Sequence, residues 1–329
     1  MKYARVELHL HLDGSLNIEW AYNKAIERGV VDKTTTFSEF YKIINPLPNA
    51  YDSDMFKKFD IVNGTLQTKQ DLYEATYNLV KHLDSLGLIY AEIRFASQLH
   101  TLKSMSQYDA LQTVIEASNK AQSECDIKIG IINAMMHRGD SAAFNYEENL
   151  ETIEVSKKFL NKGLVAVDIA GFENNCNFLD YAPLFKLASN YNIPYTIHAG
   201  EMGNPNHIID AINMGAKRIG HGINCVMNKD ILKEVVDRQI PLEVCPTSNV
   251  EPAYDYASHP IRQLIEAGVK VTINSDNIMF SRTNIINEYC LMELIGIDEI
   301  VLKKCTLNAI DAAFTTDEIK KELRDKLIF

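Results

Sequence analysis

Residues 5–13 read Arg5-Val-Glu-Leu-His-Leu-His-Leu-Asp13, a strand-like run in which two histidines stand two positions apart. Side chains at i and i+2 of a strand share a face, so His9 and His11 lie side by side. Two adjacent imidazoles can grip one transition-metal ion, although such a pair is as often structural. Three later strand-like runs also end in metal-ligand chemistry: Thr196-Ile-His-Ala-Gly-Glu201, Arg218-Ile-Gly-His-Gly222 and Thr272-Ile-Asn-Ser-Asp276.

Working outward, eight short β-rich segments recur, separated by helix-length stretches. They are 5–12, 89–96, 127–135, 164–170, 194–198, 218–222, 241–245 and 270–275. Most are Val/Ile-rich and nearly continuously apolar, as strands buried on both faces should be. Leu86-Gly87, Lys162-Gly163, Met214-Gly-Ala216 and Ala267-Gly268 precede strands and suit left-handed helix caps. Eight strands alternating with helices predict an α/β fold, a (β/α)8 TIM barrel spanning residues 1–329. About 75 residues separate the first two segments, far more than one crossover helix needs. A helical insertion is therefore expected over about 15–88, with helices at 36–44, 54–66 and 71–85 and with Pro46 and Pro48 between the first two. It would leave from the active-site end of the first strand, as a lid or pocket wall. Residues 298–329 read as C-terminal packing helices.

Composition narrows the class. The chain has 329 residues, 46% hydrophobic and 23% charged, with a net charge of −11. That balance argues against a nucleic-acid or anionic-membrane surface, which needs a basic patch. No apolar run approaches the length of a membrane span and no secretory signal is visible. Six cysteines, at 125, 176, 225, 245, 290 and 305, lack short paired spacings and read as reduced thiols of a cytoplasmic protein.

In a barrel of this kind the chemistry sits at the carboxyl ends of the strands. His9 and His11 end the first, His198 the fifth, His221 the sixth, and Asp276 follows the eighth. Such donors suit a divalent zinc ion with room for a water, and so suit hydrolysis. Glu201 lies three residues beyond His198, where Gly200 lets the chain turn its carboxyl back toward the site. Burial would suit that carboxyl to acid catalysis. Ser248 and Asn249 follow the seventh strand as candidate supports for the ligands. Glu92 and Arg94 read as an ion pair inside the barrel. His82, His100, His207 and His259 read as structural, and His137 is open to either reading.

The ordered phrases Val-Glu-Leu-His-Leu-His-Leu-Asp-Gly14, Tyr90-Ala-Glu-Ile-Arg-Phe95, Val167-Asp-Ile-Ala-Gly-Phe-Glu173, His-Ala-Gly-Glu201, Arg-Ile-Gly-His-Gly222, Cys245-Pro-Thr-Ser-Asn249 and Asn274-Ser-Asp276 resemble the adenosine deaminase family of zinc aminohydrolases nearly end to end. The resemblance implies one Zn²⁺ per chain held by His9, His11, His198 and Asp276. It implies that His221 orients the attacking hydroxide at purine C6 and that Glu201 protonates ring N1. It further implies that the Gly171 N–H meets purine N3 and that Asp13 accepts from the ribose 5′-hydroxyl. A carboxylate at 13 favours a nucleoside over a 5′-phosphate by charge repulsion. The family pattern Asp-Asp-Pro reads Asp276-Asn277-Ile278 here, so Asn277 would contact purine N7. An amide donates to N7 without needing protonation. The implied reaction is hydrolysis of adenosine or 2′-deoxyadenosine to inosine or 2′-deoxyinosine and ammonia. The alternatives are another 6-aminopurine, such as adenine or a 5′-modified adenosine, or a nucleoside-binding homologue with weak turnover. A two-metal hydrolase would want a bridging side chain on the fourth strand, which instead ends in Ala170-Gly171.

Overall fold

A computed structural model describes residues 5–45, 57–173, 177–202, 204–250 and 255–327. Eight strands run through them: β1 (Arg5–His11), β2 (Leu88–Phe95), β3 (Lys128–His137), β4 (Leu164–Gly171), β5 (Thr196–Ala199), β6 (Arg218–His221), β7 (Pro241–Val244) and β8 (Lys270–Ile273). They coincide with the expected segments to within two residues at each end. β1 to β4 pair in order as one parallel sheet, and β5 to β8 as another. Both seams are bridged in parallel, by Val167 with Tyr195 and by Leu10 with Asp276, so the strands follow one another round a barrel. Every residue of β5 and β6 is buried, the polar Thr196, His198, Arg218 and His221 included, so these polar side chains need partners inside the barrel.

Among the described residues the insertion between β1 and β2 carries four α-helices: α1 (Ile18–Glu27), α2 (Phe37–Ile44), α3 (Lys57–Thr65) and α4 (Lys69–Ser85). The sequence reading anticipates the last three and misses α1. Its signals are modest: Asn17 caps it by accepting from Trp20 N, and its inward face rests on the small residues Ala21 and Ala25. α2 starts at a reciprocal capping box, Thr36 with Glu39. Pro46, Pro48 and the expected start of a helix at 54 lie outside the described residues. α3 supplies Lys58, Phe59, Asp60 and Asn63 to the wall of the main cavity, so the insertion is part of the pocket.

The helices Glu299–Ala312 and Asp317–Asp325 pack Ala309, Ile310 and Leu323 against Val6, Leu8 and Tyr90, forming a second apolar cluster. Between this cluster and the site, the barrel interior is charged. Glu92 and Arg94 do not pair with each other, which corrects the sequence reading. They occupy successive inward layers of β2, and each reaches across the barrel. Glu92 accepts from Arg218 Nη2 at 2.5 Å. Arg94 donates to Asp168 at 2.6 Å, to Glu243 at 2.8 Å and to the Leu8 carbonyl at 2.6 Å. Arg218 also donates to Glu243, at 2.5 Å.

Candidate active site

Three imidazole nitrogens and one carboxylate oxygen converge above that charged layer. His11 Nε2 lies 3.3 Å from His198 Nε2 and 3.4 Å from Asp276 Oδ1, while His9 Nε2 lies 3.6 Å from the same oxygen. Ligands bound tetrahedrally at zinc bond lengths stand about 3.3 Å apart, so this spacing fits one ion. His9 Nε2 is fully buried with no hydrogen-bond partner among the described residues. A buried lone pair left so is costly unless a cation takes it. Burial drives His9 well below the ordinary imidazole range, and drives His11 down to about 3. Both are thereby kept neutral, the form that ligates. Burial pushes the Asp276 carboxyl up, but His11, His9 and His221, with the Ser248 hydroxyl, outweigh it and hold it below the usual carboxylate range.

The fold locks these donors through their other atoms. His9 Nδ1 contacts Glu243 Oε2 at 2.7 Å, and His198 Nδ1 contacts Asp168 Oδ2 at 3.0 Å. The hydrogen bond at His9 sets the tautomer that leaves its Nε2 free to ligate, while His198 Nδ1 stands close to Asp168 without an aligned hydrogen bond. Arg94 bridges the two carboxylates, so both rings are held by one cation. Ser248 Oγ donates to Asp276 Oδ2 at 2.6 Å. Asp276 itself has φ +59°, a left-handed conformation rare outside glycine. Its backbone is pinned on both sides by β1, since its N–H donates to the His9 carbonyl and its carbonyl accepts from His11 N. The bridge at the barrel seam thus delivers the fourth donor. Gly220 makes room for the His9 ring: a Cβ there would lie 3.1 Å from His9 Cε1.

Cys245 also lies near His9, His221 and Asp276. Burial pushes its thiol well above the ordinary range, and its Sγ points back to the Glu243 carbonyl. The structure therefore reads it as wall rather than donor. The five described cysteines are all free, as expected, and Cys176 lies outside the described residues.

His221 and Glu201 face each other beside the donors. His221 Nε2 lies 3.6 Å from Glu201 Oε2, and its Nδ1 contacts Asn249 Nδ2 at 3.0 Å. Asn249 Oδ1 in turn accepts from Cys245 N at 3.2 Å, which orients the amide. His259 Nε2 lies 3.4 Å from that same oxygen, so one of the histidines read as structural supports the site at one remove. Burial, helped by Asp276 and opposed by His221 and His198, raises the Glu201 carboxyl. That is the direction required of an acid that must still hold its proton near neutral pH.

A cavity of about 650 Å³ opens over these groups. Eight of the nine site residues named from the sequence line it: His11, Asp13, Gly171, His198, Glu201, His221, Asp276 and Asn277. His9 lies behind them, fully buried. The volume is in the range of pockets that enclose small organic ligands. Burial pushes Asp13 up to about 6, against hydrogen bonds from Asn63 and the local backbone. Asn277 packs directly on Gly14, where a Cβ would fall 1.7 Å from its Oδ1. Gly14 is thus required for space. His137, ambiguous in sequence, is a buried wall residue packed on Phe178 and Tyr181. The sequence reading assigned no role to Glu243, Asp168 or Glu173. Their one local signal is a charge set in or beside an apolar strand, which demands a buried partner.

A parallel barrel with imidazole and carboxylate donors gathered beside a buried acid is the architecture of a metal-dependent hydrolase. A family model described as adenosine deaminase matches residues 4–328. The adenosine deaminase of Haemophilus ducreyi (strain 35000HP / ATCC 700724) is 36% identical over 330 residues, covering 98% of this chain and 95% of that protein. The chain belongs to the adenosine deaminase family. Its fold is shared by the adenine deaminase of Arthrobacter aurescens, with a TM-score of 0.87, 24% identity and coverage of 98% and 97% of the two chains. A zinc-bound amidohydrolase from Burkhoderia ambifaria shares it too, with a TM-score of 0.86, 20% identity and coverage of 99% and 89%. Among the described residues no helix is long and apolar enough to cross a membrane.

Proposed function

We propose that this chain is a zinc-dependent aminohydrolase that converts adenosine and 2′-deoxyadenosine to the inosine forms and ammonia. The observation that carries this reading is the meeting of His9, His11, His198 and Asp276, with His11 3.3 Å from His198 and 3.4 Å from Asp276, His9 3.6 Å from Asp276, and the three imidazoles within 4.8 Å of one another, beside Glu201 and His221. Those four residues would hold one ion per chain. When bound, zinc supplies a Lewis acid that brings the pKa of its water down to about 7.

The chain's own residues account for the remaining requirements. Glu201, whose carboxyl burial pushes upward, would give a proton to purine N1, so that C6 becomes electrophilic. His221, set by Asn249 on one nitrogen, presents Nε2 to the attacking oxygen and aligns it. The Gly171 N–H would meet N3, and the Asn277 amide would donate to N7. Asp13, half a turn beyond β1, would accept from the ribose 5′-hydroxyl. The α3 wall would limit access of bulk water.

A second reading, a 5′-phosphorylated adenosine, is favoured by Lys58 and Arg138, which line the same cavity and would offset the charge of Asp13. Steady-state rates on adenosine, 2′-deoxyadenosine, adenine and AMP with zinc-loaded protein test both readings, following ammonia release and the purine absorbance change. The nucleosides are expected to be the preferred substrates. Ammonia release from none of the four sinks the deaminase reading, and a preference for AMP replaces the first reading with the second.

A further inference from the structure

Glu173 plays no part in the chemistry above, yet it is better bonded than most rim residues. It stands two residues beyond the end of β4 and is 3% exposed. Its carboxylate accepts from three consecutive backbone N–H groups beyond β5: Gly200 at 2.6 Å, Glu201 at 3.1 Å and Met202 at 3.4 Å. His207 Nδ1 contacts its Oε1 at 2.8 Å. The His207 ring is itself fixed by stacking on Phe178, with centroids 4.8 Å apart and planes within 10°.

Successive N–H groups converge on one anion only where the chain curls into a nest, which needs a left-handed residue. Gly200 supplies it, with φ +68°. A side chain at 200 would also strike Ile208, whose Cδ1 would lie 2.4 Å from the new Cβ. On the opposite side Asn224 Nδ2 donates to the Glu201 carbonyl at 3.2 Å, and Asn224 N donates to the Gly200 carbonyl at 2.9 Å. The Glu201 backbone is therefore held at both its N–H and its C=O. Burying a carboxylate is costly unless several donors meet it. A rim loop could satisfy these N–H groups with water instead. What the buried anion adds is a single placement of Glu201, whose Oε2 faces His221 Nε2 at 3.6 Å.

We infer that Glu173 is a positioning residue for the proton donor: by filling the Gly200–Met202 nest it aims the Glu201 carboxyl at the reacting ring, with His207 holding Glu173 in turn. The inference rests on the deaminase reading of the same cavity. Gly171 belongs to the same short segment, so one piece of backbone would set the N3 contact and, through Glu173, the N1 contact. A glutamine at 173 offers one acceptor oxygen and turns an NH₂ toward a backbone N–H. It keeps the shape and breaks the nest.

The test compares zinc-loaded wild type, Glu173→Gln and His207→Phe by kcat and KM for adenosine, inosine affinity, zinc content and amide hydrogen exchange. Glu173→Gln is expected to lose about ten- to a hundredfold in kcat, with KM and inosine affinity within about threefold, because misplacement of a reacting group by about an ångström costs that much. His207→Phe keeps the stacking ring and should lose less kcat with the same split. The amides of residues 200–202 should exchange at least about tenfold faster in Glu173→Gln. Unchanged kcat, or kcat loss matched by an equal loss of inosine affinity, overturns the inference. Should Glu173→Gln not fold, unchanged kcat in His207→Phe overturns it. A wild type without turnover counts against the deaminase reading instead, and exchange at 200–202 then decides the positioning by itself.

Discussion

Arg94 is the single cation that ties both histidine-orienting carboxylates together, so its replacement by methionine should be felt twice. The side chain is fully buried. It gives three hydrogen bonds, to Asp168, Glu243 and the Leu8 carbonyl. Methionine of similar length would fill the space and leave Asp168 and Glu243 facing each other across it. Glu243 would keep Arg218, His9 and Thr196 as partners, at 2.5, 2.7 and 2.9 Å. Asp168 would keep only His198 at 3.0 Å and its own Ile169 N–H at 2.7 Å, so most of the loss falls there. Breaking one partner out of a buried ion pair costs about 3–5 kcal/mol. Urea unfolding of metal-free Arg94→Met should show a loss of that size. Competition with a chromophoric chelator should show zinc affinity weaker by about ten- to a hundredfold, as when outer partners of ligating histidines are removed. In a double-mutant cycle, Asp168→Asn should recover part of the Arg94→Met loss, since the stranded charge is gone. A loss below about 1 kcal/mol, or strict additivity with Asp168→Asn, refutes the claim that Arg94 neutralises this layer.

Other perturbations follow from particular contacts. Burial pushes the Glu288 carboxyl from its ordinary 4.5 up to about 7, against hydrogen bonds from Thr247 and Thr283. Its protonated form is therefore favoured in the fold, and its contribution is fully present below pH 4.5 and lost as pH rises to about 7. At about 1.4 kcal/mol per unit this amounts to about 3 kcal/mol. Glu288→Gln should lack that decline, so the stability gap between the two proteins should open between pH 5 and 8; parallel profiles refute it. Gly14→Ala places a Cβ 1.7 Å from Asn277 Oδ1, so it should displace Asn277 and raise KM for adenosine while zinc content stays at one per chain. An unchanged KM would show that Asn277 does not bind the purine. Ser248→Ala removes the donor to Asp276 Oδ2 and should weaken zinc binding by about tenfold, measured by chelator competition. Unaltered affinity would show that Ser248 merely shapes its loop.

Much of this architecture was legible along the chain. The eight strands stood out because a strand buried on both faces is rich in Val, Ile and Leu even where single charged residues interrupt it, and glycine punctuates several of the helix ends before them. The donors stood out because imidazoles and a carboxylate recur together at the ends of four separate strands, although any one of them alone is more often structural. α1 was missed because its buried face consists of alanines, which carry little periodic signal. The expected Glu92–Arg94 pair failed for a geometric reason: residues two apart on a barrel strand lie in successive layers, and each finds its partner on another strand.

What the sequence alone determined was therefore the order of elements, and it singled out His9, His11, His198, Asp276, Glu201 and His221 as one candidate set, which the fold brings together. Tertiary structure decided which atoms of that set face inward and what holds them. His9 meets Glu243 across 234 positions, Leu8 meets Asn274 across 266, and Glu173 reaches the loop after β5. Local patterning records burial and period. It does not record partners, because any buried carboxylate could satisfy any buried cation until closure of the barrel brings particular ones together.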